Sequence, residues 1–217
     1  MVVRFWMTSP PVTTSPETSV ADVALEMARR RIRRLLVVAP ASERLLGIVS
    51  LHDVSRSFPP HVNPLSVGEW SDAPTEPVAR IMTRDPITTV PDASIESVAS
   101  TMQRHKVGAL PVVSGMRVVG LITESDVFRA FVSMTGGDRP GCRVTFALHE
   151  EEDLLAAVVS SAGRHGLEVT SVLSMRREGK RLASVRVVGS AAQAFIDELW
   201  RSGHRVLTVE SAAEAGL

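Results

Sequence analysis

Two four-residue stretches carry the side chains best suited to chemistry: Ser50-Leu51-His52-Asp53 and Thr123-Glu124-Ser125-Asp126. Each sets a hydroxyl and a carboxylate three residues apart, where an apolar β-type run gives way to a helical pattern. One such occurrence alone reads as a capping box that ties off the orphan amides of a helix start. Two at matching places suggest more. A helix start presents free N–H groups and the positive end of its dipole, which suits a phosphate. A carboxylate in a dry cleft accepts charge-assisted hydrogen bonds from a ribose diol. Small apolar residues and exposed backbone on adjoining strands admit a flat base. Elsewhere the chemistry is thin. His61, His105, His149, His165 and His204 are scattered without partners and read as surface residues. The sequence has no metal-ligand spacing of Cys or His, no nucleophile–base pair and no phosphate-binding glycine loop. Ligand binding without catalysis, metal or cofactor is the expectation.

The elements that position these stretches come from an internal repeat. Residues 6–38 align with 81–113, with identities at Met7/Met82, Pro11/Pro86, Thr13/Thr88, Ser19/Ser94, Met27/Met102 and Val37/Val112, among others. Residues 45–58 then match 118–131, keeping Gly47/Gly120, Asp53/Asp126, Arg56/Arg129 and Phe58/Phe131. Each repeat reads as strand, helix, strand, strand, helix. Ser19 and Ser94 are placed to cap the first helix, which buries Val20, Val23, Ala24 and Met27 or Ile95, Val98, Ala99 and Met102. Ser114 to Arg117 form a hairpin turn. Such a unit cannot bury both faces of its sheet alone, so the repeats are expected to pack about a pseudo-two-fold axis. Residues 59–77, rich in proline, read as the linker.

Composition sets the outer bounds. Apolar residues make up 44% and the mean hydropathy is slightly positive, so the chain should be globular. No apolar run is long enough to span a membrane, and the amino terminus lacks the core of a secretory signal. A single cysteine, Cys142, excludes an internal disulfide and fits a cytoplasmic location. A formal net charge of zero gives no general affinity for nucleic acid or anionic membrane.

The order MT-x-x-P-x-T, then Ala-Leu-Pro-Val-Val, then Gly-h-h-Ser/Thr-x-x-Asp before a closing helix resembles the CBS domain, named for cystathionine β-synthase. Two repeats make a CBS pair, or Bateman module, over residues 1–135, with repeats at 1–58 and 78–135. The resemblance implies that the aspartate holds a ribose and the residues beside it reach phosphate, while a purine packs between strands. It also implies composite sites. The first would join Ser50, His52 and Asp53 to Thr88, Val107, Gly108 and Ala109. The second would join Thr123, Ser125 and Asp126 to Thr13, Ile32, Arg33 and Arg34. The first repeat departs from the pattern: Leu36 replaces the proline, and Arg33-Arg34 stand where Gly108-Ala109 stand in the second. Two guanidiniums either crowd out a base or clamp a di- or triphosphate bidentately, and the plain alternative is a solvated helix end. His52 either touches phosphate or is a surface residue.

Residues 135–141 are rich in loop formers and mark a boundary. Beyond them the pattern reads strand 143–148, helix 152–165, strand 168–176, a turn at Glu178-Gly179, strand 181–188, helix 191–202 and strand 205–210. One helical stripe comprises Leu154, Leu155, Val158, Val159 and Ala162; the other comprises Ala192, Phe195, Ile196, Leu199 and Trp200. Gly166 and Gly203 follow the helix ends. This is a ferredoxin-like β-α-β-β-α-β unit, making the whole chain α+β. Residues 141–217 resemble an ACT domain, the small regulatory module that often binds amino acids at a dimer interface. The loop His149 to Asp153 departs from that pattern, being acidic and without glycine, which favours a dimerisation role. A CBS pair followed by an ACT-like domain resembles the acetoin-utilisation accessory proteins of bacteria.

The functional expectation is a homodimeric regulatory protein that binds AMP or ADP, with ATP also admitted, between the repeats. Its downstream protein target is not named by the sequence. Competing readings put S-adenosylmethionine or NAD(H) in that cleft, or an amino acid at the ACT-like interface. A further one makes the chain a ligand-free structural adaptor with Arg33 or Arg34 folded into a dry cleft.

Overall fold

The computed structural model describes residues 1–66, 70, 73–137, 141–148, 154–177, 179–201 and 205–212. It divides into two compact units, Met1–Phe128 and Arg129–Leu217. The sequence places the boundary in the loop 135–141, a little further along. Residues up to Gly137 go with the second unit because the Thr135 carbonyl accepts from Arg143 Nη2 and, at 3.0 Å, from Ser171 Oγ.

The first unit follows the repeat. Its first half runs β1 (Thr13–Thr14), α1 (Val20–Arg30), β2 (Arg34–Val38), β3 (Leu45–Ser50) and α2 (Leu51–Ser57). The second runs β4 (Thr83–Arg84), α3 (Ile95–His105), β5 (Ala109–Ser114), β6 (Arg117–Thr123) and the start of α4 (Glu124–Met134), whose later residues belong to the second unit. Ser19 and Ser94 cap as their type dictates, their hydroxyls accepting from Asp22 N at 3.1 Å and Ser97 N at 3.0 Å. The apolar stripe of α1 (Val20, Val23, Ala24, Met27) is buried against Leu35, Val37, Val49, Val54 and Phe58. Gly115, at φ +60, makes the tight turn between β5 and β6.

The leading segment of each repeat packs on the other repeat. β4 pairs antiparallel with β3, setting Ile48 opposite Thr83, and Thr8 exchanges 2.9 and 3.1 Å hydrogen bonds with Leu121 on β6. Val20 N donates to Glu76 O, and Ile95 N to Met1 O, both at 3.0 Å. Val78 N donates to Thr18 O at 2.8 Å, and Val3 N to Ala93 O at 3.0 Å. These exchanged contacts satisfy helix-start amides that would otherwise lack partners. The interval between the repeats is more than a tether. Val62 and Trp70 pack on the first repeat's core, the Trp70 ring meeting Phe58 edge-on at 5.2 Å.

The second unit comprises β7 (Gly141–Leu148), α5 (Leu154–Arg164), β8 (Glu168–Arg177), β9 (Lys180–Val188), α6 (Ala192–Arg201) and β10 (Arg205–Ala212). Its sheet is antiparallel, in the order β10-β7-β9-β8. Its core gathers Val144, Phe146, Val158, Ala162, Val185, Val187, Phe195 and Leu199. Gly166 takes the left-handed conformation just past α5, at φ +64. Periodicity overextends both helical stripes. Val159 is 48% exposed and Trp200 57% exposed, because each lies at the margin of a stripe narrower than its pattern suggests. The Leu154 and Leu155 side chains, residues 149–153, Glu178, Gly203 and His204 lie outside the described residues.

One acid-sensitive contact joins α5 to α6. The Arg164 guanidinium, then the His165 ring at 2.6 Å, hold the Glu198 carboxyl down at about 2, well below the usual 4.5. A depressed carboxyl contributes stability above its unfolded value and loses it as pH falls through the folded one. Glu198→Gln should therefore lower the melting temperature of the second unit at neutral pH and flatten its decline between about pH 4.5 and 2. Calorimetry across that range checks this, and identical slopes for both proteins would rule it out.

Candidate functional site

The two Ser/Thr-x-x-Asp stretches stand where β3 enters α2 and β6 enters α4. In the first, Ser50 N and Oγ donate to Asp53 Oδ2 at 2.8 and 2.6 Å, and Asp53 N donates to Ser50 Oγ at 3.3 Å. In the second, Thr123 N and Oγ1 donate to Asp126 Oδ2 at 2.8 and 2.7 Å. Both carboxylates thus tie off their own helix starts. Asp53 Oδ1 nevertheless has no hydrogen-bond partner among the described residues. Asp126 is buried, only 5% exposed. The first amide of each helix is also engaged. Leu51 N donates to Arg33 O at 2.8 Å, and Glu124 N to Gly108 O at 3.2 Å.

The sequence grouped the candidates as two composite sites. The structure instead brings six of them, drawn from both groups, to one cavity of about 590 Å³: Arg33, Arg34, Ser50, His52, Thr123 and Ser125. Asp53 lines a separate cavity of about 310 Å³ with Arg56, Ser57 and Ile81. Thr13 lines another, of about 380 Å³, with Pro11, Val38 and Val119. Thr88 is exposed and Ala109 buried; Val107 and Ile32 follow the helix ends, their amides bonded to Met102 O and Met27 O. Gly108 is the contact point between the groups. A β-carbon there would stand 2.6 Å from Arg34 Nη2 and 2.9 Å from Glu124 Oε2, so its absence admits the Arg34 guanidinium to the second repeat's strand start. Arg31 takes no part: it is exposed and forms the left-handed C-cap of α1 at φ 54.

Sequence reasoning passed over Glu124, Leu51, Ser55 and Leu65, which also line the central cavity. Glu124 had a signal, since the residue after a capping hydroxyl sits at the mouth of any site at that helix start. Leu65 had none, lying in the proline-rich interval. Among the described residues no cluster of His, Cys, Asp or Glu is arranged to hold a metal ion.

The CBS domain model matches residues 2–59 and 78–133, more than half of the chain. The chain belongs to the CBS-domain family. CBS pairs are regulatory, ligand-sensing modules. Similar solved structures include the CBS domain pair of protein MJ0100 in complex with 5-methylthioadenosine and S-adenosyl-L-methionine. It is 26% identical, with 64% of this chain and 98% of that one covered and a TM-score of 0.51. A putative acetoin utilization protein from Vibrio cholerae is 32% identical, with 61% and 90% covered and a TM-score of 0.51. Among curated relatives, the inosine-5'-monophosphate dehydrogenase of Korarchaeum cryptofilum is 33% identical over 118 residues. That match takes in 54% of this chain but only 21% of the enzyme. The likeness is therefore to the CBS pair within the enzyme. No helix among the described residues is long and apolar enough to cross a membrane.

Proposed function

We propose that the chain is a cytoplasmic regulatory protein without catalytic activity, which binds an adenine nucleotide between its CBS repeats. The carrying observation is the cavity in which both helix starts, two guanidiniums and His52 meet. Asp53, with one carboxylate oxygen unengaged, lines a cavity of its own beside α2 and is the candidate ribose ligand. The MJ0100 pair, complexed with two adenosine derivatives, supports an adenosine-containing ligand. It also favours the second reading, S-adenosylmethionine, over NAD(H) or a ligand-free adaptor.

Binding to the folded state alone stabilises by about 2.7 kcal/mol at a hundredfold excess over Kd. That should raise the melting temperature by roughly 5–10 °C for a chain of this size. Thermal shift with AMP, ADP, ATP, S-adenosylmethionine and NAD tests this, and Asp53→Ala should abolish the shift. Silence across the whole panel ends the sensor reading.

The second unit is proposed as a ferredoxin-like, ACT-like domain on its element order and sheet order. A homodimer completes the reading. An apolar groove of about 670 Å³ in the first unit, lined by Ala99, Met102, Val127 and the 69% exposed Phe128, is a surface suited to it. A single-chain mass in sedimentation would remove the dimer.

A further inference from the structure

Resting on the nucleotide reading, we infer that the central cavity selects for the phosphate chain: its ligand carries two or more linked phosphates, and Arg33 and Arg34 make the selection. The hydroxyls lining the cavity are largely engaged. Ser50 Oγ donates to Asp53, Thr123 Oγ1 to Asp126, and Ser55 Oγ to the Leu51 carbonyl. Recognition of an anion there falls to the guanidiniums, with His52 and Ser125 beside them. Neither guanidinium has an ion-pair partner among the described residues. Each offers five donors in a fixed fork.

A single phosphate can accept from both forks, but a chain of linked phosphates brings more anionic oxygens and more charge to them and so gains more from the pair. The arrangement is particular to the first repeat, because Gly108 and Ala109 stand at the equivalent positions of the second. Gly108 lets Arg34 reach across, so both repeats contribute to one phosphate-binding region. A single carboxylate, Glu124, opposes the two cations among the described lining residues. The structure assigns it the role of limiting affinity. One cavity serving both helix starts also implies one phosphate chain per CBS pair.

Titration calorimetry on the full chain, without divalent cations, tests this with adenosine, AMP, ADP, ATP and inorganic tripolyphosphate. Affinity should rise about tenfold with each added phosphate, the scale of one charge-assisted hydrogen bond. ATP should bind with a stoichiometry of one. Replacing Arg33 and Arg34 by alanine together should bring the ATP-to-AMP affinity ratio down to about one, whereas Glu124→Gln should tighten ATP. If the double variant fails to fold, Arg33→Ala, at an exposed position, and Glu124→Gln carry the same test. ATP binding no more tightly than AMP, or the ranking surviving loss of both arginines, overturns the inference. Tripolyphosphate binding while adenosine and all three nucleotides are silent would sink the nucleotide reading and leave the phosphate-chain selection standing. Silence from every probe removes both.

Discussion

Asp126→Ala is expected to lower the stability of the first unit by about 3 kcal/mol, and Asp53→Ala by only about 1. The two aspartates are related by the repeat and share two contacts, each accepting through Oδ2 from the backbone N–H and hydroxyl of the capping residue. They differ in burial. Asp126 is 5% exposed, so water reaches the position its carboxylate would vacate less readily, and Thr123 N and Oγ1 lose their acceptor there. Asp53 is half-buried beside a cavity, and water can enter in its place. Asp126→Asn keeps an acceptor oxygen and should recover about half of the loss. Urea unfolding followed by circular dichroism measures all three. Equal costs for the two alanine variants would show that burial does not separate the caps. A negligible cost at Asp126 would show that its carboxylate is held for a ligand and not for the fold. The pair also separates roles, since Asp53→Ala should lose the nucleotide-induced thermal shift while keeping most of its stability.

The repeat made most of the first unit legible. Serine caps, 3,4-spaced apolar stripes and a Gly-containing hairpin turn are local signals, and local physics decided them. The exchange of leading segments was not legible. Because the repeats are alike, residues 1–8 and 76–83 have equivalent docking places on their own repeat and on the other, and identical patterns cannot say which one each takes. The same ambiguity hid that residues from both predicted sites line one cavity, while Asp53 and Thr13 line others. Arg33 and Arg34 stand out as departures from the pattern, but the sequence does not show that the Arg34 guanidinium lies beside Gly108 of the other repeat. Trp70 was obscured by its prolines, though its ring packs against Phe58. In the second unit, Trp200 illustrates the reverse error. A large apolar residue at helical spacing joins the stripe, yet Phe195, Ile196 and Leu199 already fill the buried face of α6.

The exchanged segments give the other large effect. Gly47→Val should cost about 3 kcal/mol or more, with Gly47→Ala costing about 2. A β-carbon at Gly47 would meet Met82 Sδ at 2.7 Å and the Thr83 carbonyl at 2.8 Å. The methionine is flexible and can yield, but the carbonyl is backbone on the paired strand, next to the Gly47–Arg84 register pair. Relief therefore means lifting β4 from β3, which loosens the leading segment of the second repeat. Gly120 repeats the arrangement, with Met7 Sδ at 2.6 Å and Thr8 O at 3.0 Å, so Gly120→Ala should behave alike with a somewhat smaller cost. Gly115→Ala provides the contrast. Nothing lies within 4 Å of its β-carbon position, and only the strain of φ +60 opposes the change, worth about 1 kcal/mol. Met82→Ala in the Gly47→Ala background should rescue little, because the sulfur is not the obstacle. Chemical denaturation of these variants decides the matter. Full rescue by Met82→Ala would mean that side-chain crowding alone was at fault. A Gly47→Ala protein as stable as the parent would mean that the exchanged strand does not hold the repeats together.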